Sequence, residues 1–190
     1  LEGRPTGRLA ESEAALIFGH IAAAASHLHS HHWAHRDIKP EHVSVCTANG
    51  GMHARLVDFG DAAQCEPGVP SLRGFRGTPL YMAPEVAAWH GFQEDSLGAV
   101  PPSYDVACDC WSLGVTLYVI LCGEAPWDQD AELAQLIAAI QRDDIQLTSP
   151  VWSAISTRAK ALVRGLLAPQ PQRRLGAMQA ADDPWLQSSP

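Results

Sequence analysis

The feature of this sequence that most constrains its fold is an apolar run in its second half. Between Leu113 and Cys122 the chain reads LGVTLYVILC, with no charged residue. The run is too short to span a bilayer, which needs about 20 residues, and it contains Gly114 and Thr116. A helix that is apolar nearly all round is buried. We therefore predict a central core helix that starts near Cys110.

Periodic apolar residues predict further helices on both sides of this one. A helix of about five turns should begin with Ser12 as its N-cap and run to near His29. Two helices should follow the central one, and a last short helix should end near Trp185. The apolar residues that define the two helices are Leu133, Leu136, Ile137 and Ile140, then Ile155, Ala159, Leu162, Val163 and Leu166.

Only one stretch favours β structure. Two short β-prone runs, Val43–Val45 and Arg55–Val57, flank a turn signal at residues 49–51, which predicts a small hairpin. Residues 58–85 show little periodicity and are expected to form a long ordered loop. Residues 90–104 contain several Gly and Pro residues and are expected to be an irregular insertion. The expected fold class is mainly α, one domain of 190 residues with a small β-hairpin.

Charge and cysteine content exclude several classes of protein. The net charge is 13 − 21 = −8, which disfavours nucleic-acid binding because phosphate contacts need clustered Lys and Arg. No segment predicts a membrane partner or reads as a signal peptide. The five cysteines are odd in number and lack CxxC pairs, which indicates reduced thiols. We expect an intracellular protein, in the cytoplasm or alternatively the nucleus.

The first chemical motif is HRDIKPEH, from His35 to His42. An aspartate two residues before a lysine, on a loop that leaves a helix, suits phosphoryl transfer. Asp37 would accept or orient the proton of an attacking hydroxyl, and Lys39 would offset the charge that develops on the transferred phosphate. An ordinary surface ion-pair cluster would contain the same residue types, so this motif alone does not decide.

A second motif, Asp58-Phe59-Gly60, follows directly after the second β-prone run. A carboxylate at the end of a strand is well placed to hold Mg²⁺ against the phosphates of a nucleotide. Three residues match by chance too easily to carry an argument alone. The motif gains weight because it follows Asp37 by 58 − 37 = 21 residues, with a hairpin between.

Two longer motifs complete a set: GTPLYMAPE from Gly77 to Glu85, and DCWSLG from Asp109 to Gly114. With these four motifs in order, the chain resembles the C-terminal lobe of a eukaryotic protein kinase over nearly its whole length. Lys39 and the Gly-Thr pair resemble the serine/threonine class. The segment CGEAPWDQ, which begins at Cys122, weakly resembles the calmodulin-dependent and checkpoint branches.

The resemblance implies a role for each motif residue. Asp37 would be the catalytic base, and Lys39 would contact the transferring phosphate of ATP. Asp58 would bind Mg²⁺ and through it the nucleotide. Arg36 would anchor the activation segment, residues 58–85, while Thr78 would contact Asp37 and Lys39. The implied cofactors are ATP and Mg²⁺, and the implied partner is a protein substrate.

The resemblance also implies structural contacts around the catalytic loop, residues 35–42. Glu85 would form a buried ion pair with Arg174. Asp109 would accept hydrogen bonds from the backbone of the catalytic loop. His35 would be a packing residue under Phe59.

The chain departs from the family pattern at two nucleotide-facing positions. His42 stands where the family has a metal-binding Asn, and an imidazole nitrogen suits Mg²⁺ poorly because Mg²⁺ prefers oxygen ligands. His42 is therefore a doubtful metal ligand beside Asp58. Ser44 stands where the family has a bulky apolar residue beneath the adenine, so Ser44 would contact the base only weakly.

Two further departures concern regulation and completeness. Gly74 stands at the family's common phosphorylation position, so phosphorylation there is not expected to control the protein, and Ser71 is the nearest substitute. The chain contains no Gly-rich phosphate loop and no strand lysine, so the N-terminal lobe is absent from it. Either the sequence is truncated or the protein naturally lacks this lobe, and the start at Leu1 favours truncation. We expect no robust ATP turnover by these residues alone.

The expected function is a serine/threonine protein kinase that transfers the ATP γ-phosphate to protein hydroxyls. A regulatory domain or protein would lie outside this chain. The alternative is a pseudokinase or scaffold lobe, favoured by His42, Ser44 and the absent lobe. A distant third option is a metal site at His27 and His31. The better explanation is that His27, His29, His31 and His32 lie at the exposed end of a helix, where histidines complement its dipole.

Overall fold

The structure is a computed structural model that describes residues 7–48, 51–92, 100–142 and 145–187. Its helices are α1 (Glu11–Ser30), α2 (Pro84–Ala87), α3 (Ala107–Cys122), α4 (Leu133–Gln141), α5 (Pro150–Ser153), α6 (Thr157–Leu166) and α7 (Ala177–Ala181). Its strands are β1 (Trp33–Ala34), β2 (Val43–Ala48), β3 (Gly51–Leu56) and β4 (Ala63–Gln64). The prediction of a mainly α fold with a small β-hairpin is confirmed.

Helix α3 is the centre of the core, as its apolar sequence predicts. Trp111, Leu113, Val115 and Leu117 are each 0% exposed, and α3 packs against both α1 and α6. The helix begins at Ala107, three residues earlier than predicted. No helix in the described ranges is both long and apolar enough to cross a membrane.

Helix α1 lies beside α3 and leads directly into the loop that carries the first motif. Its buried face includes Ala14, Phe18 and Ile21. The prediction that Ser12 caps α1 is wrong, because the helix begins at Glu11 and Ser12 lies in its first turn. The Glu13 carboxylate accepts the N–H of Ala10 at 3.3 Å instead, which satisfies a donor at the start of the helix.

The predicted hairpin is formed by β2 and β3, which pair antiparallel with Val43 opposite Leu56. Its predicted turn at residues 49–51 falls largely outside the described residues. A second antiparallel pair, β1 with β4, was not predicted because two-residue strands are too short to show a period of two. Beyond β4, residues 58–85 contain only a single turn of 3₁₀ helix, Pro79–Tyr81, and the short helix α2.

The predicted insertion at 90–104 is only partly described, since residues 93–99 lie outside the described ranges. Its last residue, Tyr104, forms an isolated antiparallel bridge with Leu72. All five cysteines are free; four are buried, and Cys46 is exposed.

Candidate active site

One buried carboxylate at the start of α3 holds the loop at residues 35–42 in place. Asp109, 0% exposed, accepts the backbone N–H of His35 at 2.8 Å and of Arg36 at 2.7 Å. His35 is also fully buried, and its ring lies 5.0 Å from that of Phe59. The contacts expected for Asp109 and His35 are therefore confirmed. Arg36 adopts a left-handed conformation, with φ of 68°, which only a well-supported backbone maintains.

His29 is a residue of this site that the sequence interpretation placed wrongly. It does not lie at an exposed helix end but is buried, and its Nε2–H donates to Asp109 at 2.8 Å. Burial alone would lower the pKa of His29, but the hydrogen bond to Asp109 outweighs it and raises the pKa to about 10. The available signal was spacing, because His29 lies one helical repeat after the buried Ala25.

Asp37, Lys39 and Thr78 form a hydrogen-bonded cluster that joins the loop to segment 58–85. Lys39 Nζ donates to Asp37 Oδ2 at 2.9 Å and to Thr78 Oγ1 at 2.5 Å. The backbone N–H of Thr78 donates to Asp37 Oδ1 at 2.8 Å. Burial would raise the pKa of Asp37, but the hydrogen bonds from Lys39 and Thr78 hold it below its usual value. Asp37 is therefore a carboxylate at neutral pH, and the contacts expected for Thr78 are confirmed.

Gly77 lets segment 58–85 approach the loop closely enough to build this cluster. Its φ of +95° is a conformation that side chains rarely adopt, and a Cβ there would lie 2.3 Å from the carbonyl oxygen of Arg36. Any larger residue would push Thr78 away from Asp37.

His42 lies between the two carboxylates of the site. Its Nδ1–H donates to the Asp37 carbonyl oxygen at 2.9 Å, and the same nitrogen lies 3.3 Å from Asp37 Oδ2. Its Nε2 lies 3.4 Å from Asp58 Oδ2. His42, which replaces the family's Asn, therefore contacts both acidic motif residues. The side-chain atoms it could offer to a metal are nitrogens only.

Asp58 follows β3 and faces outward. It adopts a left-handed conformation with φ of 62°, its Oδ1 accepts the N–H of Gly60 at 3.1 Å, and its side chain is 59% exposed. Mg²⁺ is commonly held by one or two carboxylates together with nucleotide phosphates, and Asp58 fits that role. His42 does not, since Mg²⁺ prefers oxygen. Across the described residues, no group of three or more His, Cys, Asp or Glu side chains could hold a metal by itself.

Ser44 lies in β2, two residues after His42. The register pairs Ser44 with Arg55, so both side chains lie on the exposed face of the hairpin. Ser44 is exposed, and Val57 and Phe59 are 38% and 50% exposed. The residues on either side of Asp58 therefore expose some apolar area, and Ser44 is a small polar side chain exposed on the hairpin.

The expected ion pair between Glu85 and Arg174 is confirmed. Arg174 donates two parallel hydrogen bonds to the Glu85 carboxylate, at 2.6 and 2.9 Å. Its side chain is fully buried, and its remaining donors reach the carbonyl oxygens of Ala107, Ala168 and Pro169. This pair ties the end of segment 58–85 to α3 and to the C-terminal part of the domain.

The distant option of a metal site at His27 and His31 gains no support. Their rings lie 4.3 Å apart, and His31 Nδ1–H donates to the His27 carbonyl oxygen at 2.8 Å. No third ligating side chain completes a site in the described part of the chain.

Comparison with known proteins agrees with this geometry. The family described as "Protein kinase domain" matches residues 3–186. MAP kinase-activated protein kinase 2 of Drosophila melanogaster is 34% identical over 98% of this chain and 49% of its own length. Calcium-dependent protein kinase 20 of Oryza sativa subsp. japonica is 37% identical over 96% of this chain and 30% of its own length. Serine/threonine-protein kinase 33 of Mus musculus is 31% identical over 95% of this chain and 36% of its own length.

The chain therefore belongs to the protein kinase family. The resemblance to serine/threonine kinases of the calmodulin-dependent branch is confirmed by these relatives. The chain spans half or less of the length of the relatives named here.

Proposed function

We propose that the protein is a serine/threonine protein kinase, which transfers the γ-phosphate of ATP to a hydroxyl of a protein substrate. The observation that carries the proposal is the cluster of Asp37, Lys39 and Thr78, in which an ionised carboxylate lies 2.9 Å from a lysine ammonium. That arrangement supplies an acceptor for a hydroxyl proton next to a cation for a phosphate.

In this mechanism the protein acts mainly by positioning and electrostatics. Asp37 would orient the substrate hydroxyl and receive its proton as the oxygen attacks phosphorus. Lys39 would lie against the transferred group and offset its charge, while Thr78 keeps both side chains in place. Mg²⁺, bound at Asp58 together with the nucleotide phosphates, would neutralise charge on those phosphates.

We further propose that residues 1–190 are the C-terminal lobe of the kinase domain, with residues 35–42 as catalytic loop and 58–85 as activation segment. The helical core and the four ordered motifs support this assignment. Residues outside this chain would then complete the nucleotide-binding site. A regulatory domain or protein would also act from outside the chain. Five free cysteines support an intracellular location.

The rival proposal is a pseudokinase lobe that binds partners without catalysis. Two residues favour it: the nitrogen ligand at His42 would weaken binding of the metal, and the small Ser44 would weaken binding of the adenine. The intact cluster of Asp37, Lys39 and Thr78 favours the kinase, since a scaffold has no need of an ionised carboxylate beside a lysine.

Phosphoryl transfer by the complete protein distinguishes the two proposals. The complete protein, wild type or Asp37→Asn, is incubated with γ-labelled ATP, Mg²⁺ and a mixture of Ser-, Thr- and Tyr-containing peptides. We expect label on Ser and Thr only, at a rate that Asp37→Asn reduces about 10²–10⁴-fold, the usual contribution of a general base. Equal rates for the two proteins would refute the proposed function and leave the rival.

A further inference from the structure

Tyr104, just before α3, joins residues 68–74 of segment 58–85 to the body of the domain. Its carbonyl oxygen accepts the N–H groups of Ser71 and Leu72 at 3.1 and 3.0 Å. Its own N–H donates to the Leu72 carbonyl oxygen at 3.1 Å. Leu72 and Tyr104 are 6% and 2% exposed. Because the bridge is buried, water competes poorly for its hydrogen bonds.

Two side chains extend the bridge in both directions. The Tyr104 hydroxyl lies 3.1 Å from the Gly74 carbonyl oxygen and 3.3 Å from that of Arg73, so its proton is shared between them. Burial raises the pKa of Tyr104, which keeps the hydroxyl protonated as a donor. At the other end, Asp105 Oδ2 accepts the N–H of Gly68 at 2.9 Å.

Gly74 lets the segment turn, and this turn directs the Gly74 carbonyl oxygen towards the Tyr104 hydroxyl. Its φ of +88° is strained for any other residue, although a Cβ there would meet nothing closer than 3.9 Å. Ser71 is the only hydroxyl-bearing residue between Cys65 and Phe75. The bridge is built from backbone groups, the Tyr104 hydroxyl and the Asp105 carboxylate, and the turn itself depends on glycine.

The bridge is connected to the candidate active site through Arg36. The guanidinium of Arg36 donates through Nε to the Asp61 carbonyl oxygen, and its charge opposes the larger effect of burial, which raises the pKa of Tyr104. Arg36 precedes Asp37, and Thr78, which holds Asp37, comes four residues after Gly74. The conformation of residues 68–74 can therefore affect both Arg36 and Thr78, the two neighbours of Asp37 in the catalytic cluster.

We propose that Tyr104 is a positioning residue that holds residues 68–74 in their ordered form without a phosphate group. The set of contacts from Tyr104 and Asp105 to residues 68–74 is called the Tyr104 clamp below. The clamp would present the substrate-facing part of the segment to Asp37 in the unmodified protein. Only this last effect, on substrate, rests on the proposed kinase function.

Limited trypsin digestion tests the clamp without requiring catalysis. Arg73 and Arg76 are exposed within the segment, so cleavage after them reports how often the segment opens. The complete protein is treated with phosphatase, checked by mass, and compared as wild type and Tyr104→Phe. We expect slow cleavage of the dephosphorylated wild type, and cleavage about five- to tenfold faster in Tyr104→Phe, the effect of losing one or two hydrogen bonds.

Two further variants make the digestion specific. Tyr118→Phe is the matched control, because Tyr118 is also buried and its hydroxyl also donates to a carbonyl oxygen, that of Gln146 at 3.3 Å. It should leave cleavage after Arg73 within about twofold of wild type, since α3 lies outside the segment. Gly74→Ala should accelerate cleavage as Tyr104→Phe does. It keeps the proposal testable if Tyr104→Phe fails to fold, which circular dichroism would reveal.

Two results would overturn the proposal. One is that phosphatase treatment alone accelerates cleavage of the wild type about tenfold, because a phosphate would then be the main support. The other is that Tyr104→Phe, although folded, is cleaved no faster than Tyr118→Phe.

Kinetics on the same proteins tests the effect on substrate. Tyr104→Phe should raise KM for a protein substrate about fivefold while leaving KM for ATP unchanged, a split that general destabilisation would not produce. Equal KM values in variant and wild type would overturn the positioning role. If the wild type transfers no phosphate, the proposed function fails, and the digestion still decides the clamp.

Discussion

The ion pair between His29 and Asp109 should be a major source of stability, and the substitution His29→Leu tests it. Leucine keeps apolar volume on this face of α1 but removes the His29 side-chain donor to a carboxylate that is 0% exposed. Asp109 would still accept hydrogen bonds from the backbone N–H groups of His35 and Arg36. The variant therefore leaves a buried charge that has fewer hydrogen bonds but is not without them.

The size of the effect follows from that partial support. Removing one partner of a buried ion pair typically costs about 3–5 kcal/mol. Since two backbone donors remain on Asp109, we expect the lower end, about 3 kcal/mol at neutral pH or slightly below. For a domain of this size, that loss corresponds to a decrease in Tm of about 6–12 °C.

The pH dependence of the difference between wild type and His29→Leu has a definite sign. The pKa of His29 is raised from 6.5 to about 10. Its contribution to stability is therefore fully present below pH 6.5 and is lost as pH rises towards 10. Burial would raise the pKa of Asp109, but its hydrogen bonds lower it, so its contribution is lost only as pH falls below its usual value of 3.8. The difference should thus be largest in mildly acidic solution.

Urea unfolding of both proteins at about pH 6 and about pH 9 measures this difference. We expect it to fall by at least half between the two, because one pH unit in this window changes stability by about 1.4 kcal/mol. His27→Leu, an exposed histidine of the same helix, is the matched control and should change stability by less than about 0.5 kcal/mol. A loss in His29→Leu that equals the control, or that is unchanged at the higher pH, would refute the reasoning.

Three further predictions concern the fold and the site. Glu85→Gln should lower the free energy of unfolding in urea by about 3–5 kcal/mol, because it leaves the buried Arg174 without its partner charge. The control Glu124→Gln, at an exposed glutamate, should lower it by less than about 0.5 kcal/mol. Equal losses in the two variants would contradict this prediction. Gly77→Ala should lower the transfer rate at least tenfold because its Cβ would lie 2.3 Å from a loop carbonyl oxygen, and an unchanged rate would show that the cluster tolerates displacement. His42→Asn should raise Mg²⁺-dependent transfer by up to about a hundredfold, the equivalent of roughly 2.7 kcal/mol; a titration of rate against Mg²⁺ that shows no gain would mean that His42 does not limit the metal site.

Helices and the hairpin could be predicted because their signals are local. Apolar spacing identified α1, α4 and α6, and the β-prone runs on either side of the turn signal at residues 49–51 identified β2 and β3. The start of α1 could not be predicted, because its N-cap position is taken by Ala10, an unfavoured cap residue, while Ser12, a favoured one, lies in the first turn.

Contacts between distant residues were predictable only through resemblance to the kinase family. Nothing local connects Glu85 to Arg174 or Asp37 to Thr78, and the motifs supplied those pairings. His29 and Tyr104 belong to no motif that was recognised. Their importance depends on what the fold brings next to them, a buried carboxylate in one case and the carbonyl oxygens of a loop in the other.

The central claim is that Asp37 and Lys39 act together on one phosphoryl transfer, and the rate of the double variant Asp37→Asn/Lys39→Gln tests it most directly. The rate of γ-phosphate transfer by the complete protein is compared with those of the wild type and each single variant. Because the two side chains share the step and contact each other at 2.9 Å, we predict that the double variant is about as slow as the slower single variant. Losses that multiply, or a wild type that transfers no phosphate, would contradict the claim.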